Sequence, residues 1–188
     1  VETWMRDPYA LYARHILKLK PLEPLAADPG ALERGQFIHQ ALDRFIAACP
    51  PLLPADALER LLAQGRAAFG DLLARPEVWA FWWPRFERIA RWVVAQEARR
   101  RPALLPLATE VKGEIQLEGR QLPFTLTTKA DRLDRMADGR LMVIDYKTGT
   151  LPESRDLALG FSPQLPLEAA IAECGGFRGV PPTPVGAL

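Results

Sequence analysis

Three observations in the sequence predict an α/β sandwich with a mixed sheet. Apolar residues recur at helical spacing over roughly the first hundred positions. After Pro106 the pattern changes to the alternation of strands. A short helical pattern then returns near Pro163. Helices, antiparallel strands and a closing helix pack most simply as layers around one sheet. The whole chain, 1–188, reads as a single domain, mainly helical over 1–105, with a sheet and its following helix over 106–175.

Each element has its own signal. From Thr3 to Leu19, Trp4, Tyr9 or Leu11, Tyr12 and Ile16 stand at near-helical spacing. Pro21 to Ala27 reads as a connector. Asp28-Pro29 then offers an N-cap and a first-turn proline. The helix it opens shows Phe37, Ile38, Ala41, Leu42, Phe45 and Ile46 on one face and stops at Cys49-Pro50-Pro51. A second helix follows Pro54, with Leu58, Leu61, Leu62, Phe69, Leu72 and Leu73 as its stripe. A third, from Glu77 to Arg100, holds four of the five tryptophans, and that stripe is assigned to core packing rather than base stacking. Strands are expected over Thr109–Leu117, Leu122–Leu133 and Arg140–Thr148, the last two joined at Ala137-Asp138-Gly139. A loop and a helix over Pro163–Cys174 complete the series.

Composition narrows the function classes. Net charge is +1, which is not the signature of a protein that grips nucleic acid by bulk charge. Two cysteines are too few for a disulfide framework or a four-thiolate metal site. No apolar run is long enough to cross a bilayer, and no leader pattern opens the chain, so no membrane partner and a cytoplasmic setting are expected. The chain lacks a Walker-type phosphate loop, which puts any ATP-driven function elsewhere. It starts at Val1 and closes on a Pro-rich stretch, so it is expected to be a fragment of a larger protein.

Chemistry concentrates in Ala130-Asp131-Arg132-Leu133-Asp134 and Ile144-Asp145-Tyr146-Lys147-Thr148-Gly149. Strand alternation turns Asp145 and Lys147 to one side. A three-residue loop at Ala137–Gly139 sets Asp131 opposite Asp145. Two carboxylates and an ammonium then converge at one end of the hairpin, beside Leu141, Met142, Val143 and Ile144, a strand that is apolar on both faces. Adjacent carboxylates repel each other, and a divalent cation with oxygen ligands relieves that repulsion. On spacing alone a structural Asp145–Lys147 salt bridge and a surface Asp131-Arg132 pair are favoured, and the hairpin context, with a second acid placed opposite, brings the two readings close to even.

The ordered set resembles the signature of the PD-(D/E)xK nuclease superfamily. Asp131 stands where the first motif's acid belongs, and Asp145-Tyr146-Lys147 matches the (D/E)xK motif. Arg34-Gly35-x-x-x-His39, Phe161-Ser162-Pro163-Gln164-Leu165 and the opening Trp4-Met5-Arg6-Asp7-Pro8-Tyr9 are similar to the RecB-type branch. Within that branch the likeness is closest to the C-terminal nuclease domains of AddB proteins, over about Glu2 to Ala172. Three positions depart from the pattern. Asp7 stands where the iron-sulfur branch has cysteine, so no cluster is expected. Thr128 replaces a common glycine. Glu168 replaces a tyrosine that often follows the glutamine.

The resemblance implies a restriction-endonuclease-like core with helical additions and Mg²⁺-dependent hydrolysis of DNA, with Mn²⁺ able to substitute. It also implies single-stranded DNA as substrate and an AddA-like helicase-nuclease subunit as partner in double-strand break repair. Asp131 and Asp145 would bind metal, Lys147 would position the attacking water, and His39 would complete the metal shell. Glu110 is either a further ligand or a solvated strand-end acid. Gln164 would touch the DNA backbone, orient Lys147 or cap its helix. Arg34, Arg132 and Arg155 would contact phosphates. The competing reading is a catalytically inactive DNA-binding or scaffold domain of such a complex.

Overall fold

The computed structural model describes residues 2–20, 30–119, 122–149 and 151–188. The expected cap at Asp28-Pro29 and the connector before it lie outside these residues. Helix α3 (Ala31–Ala48) is described from Gly30, whose backbone N–H donates to the Glu33 carboxylate at 2.8 Å. It ends where Pro50 follows Cys49, as the missing N–H of proline requires. Helix α4 (Ala57–Phe69) opens on Asp56, which also pairs with Arg60. Helix α5 (Trp83–Arg100) is entered through one π-helical turn, Val78–Trp82, instead of running unbroken from Glu77.

The N-terminal segment is not one helix. It divides into α1 (Glu2–Arg6), α2 (Pro8–Leu11) and a π-helical turn (Tyr12–Ile16), because Pro8 cannot donate to the turn before it. Its apolar members Trp4, Tyr9, Tyr12 and Ile16 are exposed.

The sheet has four strands in the order β1-β2-β3-β4: β1 (Leu104–Leu117), β2 (Phe124–Met136), β3 (Leu141–Ile144) and β4 (Val185–Ala187). The first three pair antiparallel, and β4 lies parallel to β3, so the sheet is mixed as expected. The β2–β3 hairpin has the three-residue loop expected at Ala137–Gly139, closed by Met136 N–H to the Arg140 carbonyl at 2.8 Å. Gly139 has φ +86° there, a left-handed conformation that side chains resist. Strand β4 has no counterpart in the sequence pattern, since the proline-rich run before it reads as loop. A short helix α6 (Ser154–Ala158) also interrupts the expected final loop before α7 (Gln164–Glu173).

Two apolar cores hold these layers. One joins α3, α4 and α5 through Leu42, Phe45, Leu61, Phe69 and Phe86, with Tyr146 packed against it. The other joins the sheet to α7 through Ala130, Leu133, Val143 and Ile171. The tryptophan stripe is thus only half a core stripe. Trp83 is buried, whereas Trp79 and Trp92 are more than half exposed.

Candidate active site

Strands β2 and β3 fix the position of the acids. The β2–β3 ladder runs to the pair Arg132↔Ile144, one residue short of Asp131 and Asp145. Chain direction then changes, and Asp145 to Lys147 leave the ladder. The Tyr146 backbone N–H donates to Asp131 Oδ2 at 2.8 Å, which ties the two segments together. Alternation persists through these residues. Tyr146 turns to the helical core, while Asp145 and Lys147 turn together toward α7.

Asp131 meets His39 of α3, whose Nδ1 lies 3.4 Å from Asp131 Oδ2. Glu110 lies across β1 from Asp131, between the pairs Thr109↔Arg132 and Val111↔Ala130. It is not a strand-end acid. Its φ of +49° breaks the regular strand path, and its carboxylate pairs with Lys129. Such a conformation is uncommon for a residue with a side chain and recurs at functional sites. His39, Glu110 and Asp131 each place a donor atom within 4.8 Å of the others. Among the described residues they are the one group of three that can hold a metal ion. They line a cleft of about 680 Å³ with Lys129, Lys147 and Thr148. Gly35 lets α3 approach the cleft rim, since a side chain there would meet Thr148 Oγ1 at 3.3 Å.

Asp145 stands beside that trio, not in it. Its Oδ2 pairs with Lys147 Nζ at 2.7 Å, and its Oδ1 accepts from Gln164 Nε2 at 2.9 Å. Lys147 Nζ also donates to Gln164 Oε1 at 2.9 Å. Gln164 therefore orients both motif residues from the first turn of α7. Its Nε2 is in turn held by Glu168 Oε1 at 3.2 Å, and Glu168 accepts from Thr128 Oγ1 at 3.0 Å.

The electrostatics follow from these contacts. The hydrogen bond to Asp131 raises the pKa of His39 above its ordinary value, outweighing the opposing effect of burial. Burial pushes Asp131 up, but hydrogen bonds from His39 and the Tyr146 N–H prevail and hold it below the usual carboxylate range. Burial raises Glu168.

The predicted arginines divide. Arg34 lies with its guanidinium 5.8 Å from the Trp82 ring centroid, next to the cleft residue Gly35. Arg155 is exposed on α6 and does not line the cleft. Arg132 must be corrected, because it is fully buried and contacts no solvent-facing surface. It donates to Asp134 at 2.6 and 2.7 Å, to Glu97 at 2.6 and 3.2 Å, and to the Tyr146 hydroxyl at 3.2 Å. It braces the site from behind. Sequence reasoning misses Glu97, Tyr146 and Glu168 in this supporting role. The available signal was their setting, since Glu97 falls on the apolar face of α5 and Glu168 among Leu165, Ile171 and Ala172. Charges at such positions need partners.

An acid across a hairpin from an acid-x-lysine segment thus meets a histidine and a glutamine that converge from two helices. The family description that fits this chain, over residues 1–188, is the PD-(D/E)XK nuclease superfamily, and the chain belongs to that superfamily. Its mixed sheet flanked by helices agrees with the restriction-endonuclease-like fold. Curated relatives include uncharacterized proteins of Rickettsia bellii (27% identical over 178 residues), Rickettsia felis (26% over 182) and Rickettsia typhi (26% over 184). Each match covers 95% of this chain but 21% of the relative, so the chain spans about a fifth of their length. No described helix is long and apolar enough to cross a membrane.

Proposed function

We propose that this chain is a Mg²⁺-dependent deoxyribonuclease domain, acting as an exonuclease on single-stranded DNA. The observation that carries the reading is the joint presence, around one cleft, of the His39–Glu110–Asp131 donor trio and the Asp145–Lys147–Gln164 chain. The donor set fits a divalent cation: two carboxylates and an imidazole lie close enough to share one ion, and carboxylate oxygens suit Mg²⁺ or Mn²⁺. When bound, such an ion supplies Lewis-acid stabilisation of charge on the scissile phosphate.

The chain's own groups then have defined tasks. Asp131, Glu110 and His39 would hold the cation, His39 as the neutral imidazole. Asp145 fixes Lys147 and contributes its carboxylate to the same region. Lys147 Nζ, steadied by Asp145 and Gln164, orients the attacking water and stabilises negative charge on the phosphate. Arg34 contributes positive charge at the rim. Sequence preference is expected to be low, because the sequence carries no recognisable base-reading motif.

The wider assignment is to the nuclease module of a helicase-nuclease complex for double-strand break repair, of the AddB kind, with an AddA-like partner subunit in the cytoplasm. It rests on the RecB-type residues His39 and Gln164 and on relatives several times longer than this chain. The decisive experiment is cleavage of end-labelled single-stranded DNA with Mg²⁺ or Mn²⁺, comparing wild type with Asp145→Ala and Lys147→Ala. Metal-dependent cleavage abolished in both variants is expected. A folded wild type that neither cleaves nor binds metal by calorimetry would transfer the assignment to an inactive scaffold.

A further inference from the structure

Helix α5 and the π-helical turn that enters it carry an exposed stripe that the site leaves unused. Phe81, Arg85, Arg88, Trp92 and Arg99 follow one another at intervals of four, three, four and seven residues, which places them on one helix face. The buried residues Trp83, Phe86, Ala90, Val93 and Glu97 occupy the other side. Phe81 is 75% and Trp92 58% exposed. The acids of α5, Glu87 and Glu97, lie off the stripe. Glu97 is buried, and Glu87 accepts from the Trp83 indole and faces Arg91.

The stripe begins at the cleft. Arg85 Nη2 donates to the carbonyl of Thr148 at 3.4 Å, and Thr148 lines the candidate active site. From Phe81 to Trp92 the helix advances about 16 Å. Among the described residues, Arg88 and Arg99 make no ion pair.

We propose that this face of α5 is a track for single-stranded nucleic acid, which leads the strand to the cleft by stacking bases on Phe81 and Trp92 while Arg85, Arg88 and Arg99 follow its phosphates. The proposal rests on the nuclease reading for its direction toward the cleft. Interleaved aromatic and basic side chains are the means by which proteins hold single strands without regard to sequence. An apolar protein surface pressed here would desolvate guanidinium groups with nothing to pair them. A duplex would offer phosphates to the arginines but no open base face to the aromatic rings.

The test is fluorescence anisotropy with a labelled thymidine oligonucleotide in EDTA, so that binding is read without cleavage. Phe81→Ala/Trp92→Ala is expected to bind about tenfold more weakly or worse. Arg88→Ala/Arg99→Ala is expected to flatten the slope of log affinity against log salt by about 0.7 per arginine. Quenching of tryptophan fluorescence by the oligonucleotide should shrink in Trp92→Phe. Urea midpoints matching wild type establish that the variants are folded.

Unchanged affinity and salt slope in folded variants would overturn the proposal, even if the wild type cleaves DNA. Equal losses on single strand and duplex would also overturn it, leaving a plain cationic surface. Self-association that depends on Phe81 and Trp92, without oligonucleotide binding, would assign the stripe to a protein contact instead. Stripe-dependent binding by a chain that fails to cleave would uphold the track and reject the nuclease reading alone.

Discussion

Replacing Arg132 by methionine tests whether the site is braced from behind. The guanidinium is fully buried and donates twice to Asp134, itself 0% exposed. Methionine fills much of the same volume and leaves the Asp134 carboxylate buried without that cation. Glu97 fares better, because Arg101 Nε still donates to it at 3.0 Å. Breaking one such buried pair costs about 3–5 kcal/mol, a large share of the roughly 5–15 kcal/mol that stabilises a domain. For a chain of this size that corresponds to a fall of about 6–20 °C in melting temperature. Removing both charges in Arg132→Met/Asp134→Leu should recover more than half of the loss, since apolar replacement of a whole buried pair is often neutral. Urea denaturation of both variants and of Asp134→Leu alone, with Arg85→Met as the exposed control, completes the cycle that measures the coupling. An Arg132→Met protein with a wild-type midpoint and weakened DNA binding would refute the bracing role and restore Arg132 as a phosphate contact.

Three further outcomes follow from single contacts. Gln164→Ala removes the acceptor of Lys147, a donor to Asp145 and one of the two donors to buried Glu168, so cleavage should fall by up to about a hundredfold and stability by about 1 kcal/mol. Glu168 has a raised pKa in the folded state, so the stability linked to its neutral form is complete below the unfolded carboxyl pKa and is lost as pH rises through the folded one. Its Oε2 is buried without a partner. Glu168→Gln should therefore gain about 1 kcal/mol over wild type at neutral pH and nothing in acid below the unfolded carboxyl pKa in paired urea titrations, and a gap independent of pH rejects this account. Gly139→Val, at φ +86°, should cost about 1–2 kcal/mol by thermal melting.

The hairpin was the most legible part of the sequence, because loop length and strand alternation together dictate register. Three residues at Ala137–Gly139 suffice to put Asp131 across from Asp145, and the ladder has that register. Burial of charge was less legible. In Asp131-Arg132-Leu133-Asp134 nothing local says that the second residue closes on the fourth and on Glu97, a residue 35 positions earlier. No turn residue in the sequence marks the φ of +49° at Glu110. The π-helical turn before α5 has no sequence signal either, although it sets Trp82 under the Arg34 guanidinium.

The two positions in the sheet and closing helix that depart from the RecB-type pattern explain each other. Thr128 stands where glycine is common and Glu168 where tyrosine is common, and their side chains share a hydrogen bond of 3.0 Å. Glycine at 128 could not hold Glu168, and Glu168 without Thr128 would lose one of its two donors inside a buried pocket. With both present, Glu168 Oε1 accepts from the Gln164 amide nitrogen. That contact turns the amide oxygen toward Lys147. A carboxylate can only accept, so it selects one of the two amide orientations, the one in which Gln164 receives a proton from Lys147 and donates to Asp145. Thr128 and Glu168 thus fix the orientation of Lys147 through β2 and α7 together.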